Sequence, residues 1–155
     1  MMRELDKLSP SEGDLMLKAP LLVCILIAGA DDDIDRKEIK KALQMAQKNQ
    51  GSGKSRLMEY YRIMAEDFED KLKVLIQSYP PRAAQREPII VDELTSLNNV
   101  FSKIDKELAF EFYQSLLEIA KKTAESSGGL LGLNSVGEEE ARFVNLPMIK
   151  IPTRK

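Results

Sequence analysis

Histidine is absent from this chain, and cysteine occurs once, at Cys24. Without histidine there is no His-based triad, no His-ligated zinc and no imidazole base near neutral pH. A lone cysteine excludes a multi-cysteine metal site within one chain, and its place in an apolar run marks it as a packed small hydrophobe. Long apolar runs are missing too. The longest, Leu21 to Ala28, falls well short of the roughly 18–20 residues a membrane span requires. The opening "MMRELDKLSPSEGD" is of mixed charge and lacks the apolar stretch of a signal peptide, so a reducing cytoplasm is the expected location. Neither sign of charge dominates: 25 acidic and 23 basic residues leave a net charge of −2, and no basic excess recommends nucleic acid.

What is present suits one domain, residues 1–155, large enough to bury more than about two-thirds of its unfolded surface. Helical spacing dominates. Ser11 with Asp14 offers a helix start, and Pro20 either kinks that helix or opens a second. The run "LLVCILIAGA" has no alternating strand partner elsewhere, which makes it a central buried helix. Ile39, Ala42, Leu43 and Ala46 share one face of the next helix, and Tyr60, Tyr61, Met64, Phe68, Leu72, Leu75, Ile76 and Tyr79 share one face of a long amphipathic helix. "YPPRAAQREP" is expected to stop that helix and serve as a connection. Leu94, Leu97, Val100, Phe101 and Ile104 then mark a helix, as do Leu108, Phe112, Leu116, Ile119 and Ala120. A last helix carries Ala141 and Val144, and residues 147–155 form an extended tail. The expectation is an all-α bundle of six or seven helices. Two segments, each running from a helix end through a small-residue loop to an acidic helix start, suggest a pseudo-twofold repeat.

The main chemical lead is "AGADDDIDRKEIKKAL", where four aspartates fall within five positions, 31–35. Two explanations compete. Acidic residues in a first helical turn each gain about 0.3–1 kcal/mol from the helix dipole, and Asp35 with Glu38 has capping-box spacing. Asp32 with Arg36 and Asp33 with Lys37 also fit helical ion pairs. Alternatively, crowded carboxylates repel, and a hard divalent cation relieves that repulsion. An ordinary EF-hand fits poorly. With Glu38 as its last ligand, Ile34, Asp31 and Asp33 take suitable positions, but Ile27 and Gly29 fall where oxygen ligands belong.

The same stretch resembles the bacterial tellurite-resistance TerB-like family, whose corner reads roughly Ala-Asp-Gly-x-Ile/Val-x-x-x-Glu. Ala30, Asp31, Ile34 and Glu38 match, while Asp32 stands where that family has glycine. The resemblance implies an all-helical single domain linked to stress or tellurite resistance, with divalent-cation binding by clustered acidic residues in some members and no established enzymatic activity. It implies a second acidic helix start as well, matched here by "SVGEEEARFV". The candidate metal ligands are therefore Asp31, Asp33, Asp35 and Glu38, with Glu138 from the second start. The cation would be Ca²⁺ or Mg²⁺, and no catalytic or other cofactor-binding residue is assigned.

Other stretches carry less. "GSGKS" lacks the first glycine of a phosphate loop and any preceding strand, and so reads as a helix connection. The apolar tail residues Met148, Ile149 and Ile151 either cover the bundle or dock on another protein. Three functions remain: a non-enzymatic TerB-like domain, a protein-interaction module with a purely structural acidic corner, and a carboxylate- and metal-dependent hydrolase. The last lacks an identifiable nucleophile, base and orienting group.

Overall fold

The computed structural model describes residues 8–28, 68–128 and 145–151, together with the exposed helical residues Lys40 and Gln44. Within them lie four longer helices, α1 (Pro10–Ala28), α2 (Phe68–Ser78), α3 (Ala83–Thr95) and α5 (Lys106–Gly128), and a short one, α4 (Leu97–Phe101). No strand occurs among the described residues, so the all-α expectation holds there. None of their helices is long and apolar enough to cross a membrane.

Helix α1 is the axis of the core. Residues 21–27 are no more than 1% exposed, as an all-round apolar helix must be when neighbours surround it. Its closest packing is against α5, with α3 and α4 on its other flanks. Pro20 lies inside α1 with no N–H to give the ladder. The helix persists because each buried Leu, Ile or Val contributes about 1.5–3 kcal/mol, which together outweigh an interior proline at about 3 kcal/mol.

The start of α1 differs from the expected Ser11–Asp14 pair. Ser9 and Glu12 form the reciprocal capping box: Ser9 N–H donates to Glu12 Oε1 at 3.0 Å, and Glu12 N–H donates to Ser9 Oγ at 3.3 Å. This pairing also places Pro10 at the first helical position, where its missing N–H is harmless.

The segment "YPPRAAQREP" is a connection only in part. Helix α3 begins inside it at Ala83 and continues through the exposed Pro88. Ala83, Arg86, Ile90 and Leu94 recur at three- and four-residue spacing and are all buried, which overrides the proline. The helix expected from Leu94 through Ile104 is divided at Ser96. There the ladder tightens: Ser96 N–H donates to Glu93 O at 3.1 Å, and Asn99 N–H donates to Ser96 O at 3.2 Å. Asp105 caps α5 by accepting from Leu108 N–H at 3.0 Å. Residues 146–149 pack on the core through Leu146 and Ile149.

Candidate functional site

Asp31, Asp33, Asp35, Glu38 and Glu138 lie outside the described residues, as does "GSGKS". The described helices do fix where the chain enters the two acidic stretches. Lys103 Nζ, just before α5, bonds Glu12 Oε2 near the start of α1 at 2.6 Å. Further along, Thr123 Oγ1 lies 3.6 Å from Cys24 Sγ. Two contacts in this order require α1 and α5 to run parallel. An antiparallel pair meeting at Cys24 and Thr123 would put Glu12 on the order of 40 Å from the start of α5 at 1.5 Å per residue.

Ala28 is four residues past Cys24, and Gly128 is five past Thr123, rises of about 6 and 7.5 Å. The two helices therefore end at nearly the same height, on axes about 8–10 Å apart for packed helices. Each C-terminus carries about half a negative charge, and neither last turn contains a basic residue to offset it. Asp31 follows Ala28 by three positions and Glu138 follows Gly128 by ten.

A second polar cluster joins α1, α3 and the α2–α3 link. Glu93 Oε2 accepts from Tyr79 Oη at 2.8 Å and pairs with Lys18 Nζ at 3.2 Å. Burial, followed by the hydrogen bond to Glu93, holds the Tyr79 phenol well above its ordinary range. Beside this cluster lies an open depression of about 390 Å³ lined by Glu12, Asp14, Lys18, Glu93, Ser96 and Asn99. The hydrogen bond from Lys103, followed by that from Ser9 N–H, pulls the Glu12 carboxyl down to about 2. Glu12 and Tyr79 thus hold one charge state around neutral pH and do not suit proton exchange there. Burial pushes the Cys24 thiol up to about 12, opposed by the Thr123 hydroxyl, as expected for a packed and unreactive cysteine. No group of three or more His, Cys, Asp or Glu side chains among the described residues could hold a metal ion.

No family model, curated protein or solved structure matches the chain.

Several polar residues with structural work had no motif to announce them. The spacing puts Tyr79 on the apolar face of a long helix, yet its hydroxyl reaches across to Glu93. Arg86 is 2% exposed, and its Nη1 donates to Pro81 O at 2.6 Å, fastening the diproline link to α3. The available signal was its place at the spacing of Ala83 and Ile90, where a charged residue must bring its own partners. Asn98 bonds residues 148 and 150, fifty and fifty-two positions away, and no local pattern encodes that.

Proposed function

We propose that this chain is a non-enzymatic, cytoplasmic TerB-like domain of the stress or tellurite-resistance type. In this reading it holds a divalent cation, Ca²⁺ or Mg²⁺, at one end of a bundle of six or seven helices. One observation carries it: α1 and α5 run parallel and end side by side with no basic residue in either last turn. Two negative helix ends then share the end from which the chain continues to the four-aspartate run, and in this reading a cation offsets the charge of both. Oxygen donors of this kind select hard cations over soft ones. Asp31, Asp33, Asp35 and Glu38 supply the ligands, with Glu138 contributed from the second acidic stretch. The parallel run of α1 and α5 supports a pseudo-twofold repeat about an axis along the two helices.

Thermal melting tests the reading. At a cation concentration 100 times Kd, linkage stabilises by about 2.7 kcal/mol, a Tm rise of roughly 5–11 °C for a domain of this size. EDTA should lower Tm, and millimolar calcium or magnesium should restore it. A shift no larger than that of a variant with Asp31→Asn and Asp33→Asn would overturn the proposal.

The second reading is a protein-interaction module. It draws support from Val74, which is 60% exposed at an α1–α2 groove of about 420 Å³ also lined by Leu17, Leu21 and Leu75. A cation-insensitive melt together with a reproducible partner would favour it.

A further inference from the structure

We draw no further inference here: the strongest candidate, the apolar groove between α1 and α2 lined by Leu17, Leu21 and Leu75 with Val74 exposed at its edge, carries nothing because nothing in the structure shows what covers it.

Discussion

Phe112 gives the most direct test of the packing around α5. Its side chain is fully buried, and its ring meets Phe101 edge-on, with centroids 6.0 Å apart and planes at 87°. Truncating a buried phenylalanine to alanine costs about 3–5 kcal/mol in lost transfer and cavity energy. For a domain of this size that is a Tm drop of roughly 6–20 °C. Phe112→Leu keeps most of the apolar volume and isolates the ring contact, which edge-to-face pairs make about 0.5–1.5 kcal/mol stronger than burial alone. A double-mutant cycle with Phe101→Leu and Phe112→Leu should return a coupling in that same range, about 0.5–1.5 kcal/mol. Urea unfolding followed by circular dichroism is the suitable assay, because the chain has no tryptophan and only four tyrosines. If Phe112→Ala lost under about 1 kcal/mol at an unchanged m-value, α5 would not be packed as described.

Further outcomes follow from the polar contacts. Ser9→Ala should cost about 0.5–2 kcal/mol by removing the cap of α1, measured in the same urea titration. Glu12 is lowered from 4.5 to about 2, so the stability it contributes is present above pH 4.5 and is lost as pH falls toward 2; Glu12→Gln should flatten the melting profile across that window. Cys24 is raised from 9.0 to about 12, so its contribution is intact below pH 9 and disappears as pH rises toward 12. Cys24→Ala should reduce the alkaline loss, and a thiol reagent at pH 8 should label the wild-type protein only after denaturant is added. Tyr79→Phe removes a hydrogen bond to a half-buried carboxylate and should cost about 1–2 kcal/mol; no change in urea midpoint would mean that the hydroxyl prefers water to Glu93.

Much of the helical architecture is written locally. The apolar run around Cys24 could only be stable where all sides are covered, and it is the most buried part of the described core. The spacing from Leu108 to Ala120 likewise marked α5, where Leu108, Phe112, Leu116, Ile119 and Ala120 are all buried, together with Ala109, Tyr113, Ser115, Thr123 and Ala124. Local rules misled where burial outweighed them, as at Pro88, and where two capping pairs overlapped, as at Ser9 and Ser11. The candidate acidic residues were legible as a cluster because they are neighbours in sequence.

Periodicity and composition alone determined the helical class, the central apolar segment and the candidate acidic residues, since each depends on side chains within one or two turns of each other. Tertiary structure alone decided the parallel run of α1 and α5, the meeting of Tyr79 and Lys18 at Glu93, and the hold of Asn98 on residues 148 and 150. These depend on which faces pack together across scores of residues. That choice follows from the summed burial of the whole core, which no short stretch of sequence contains.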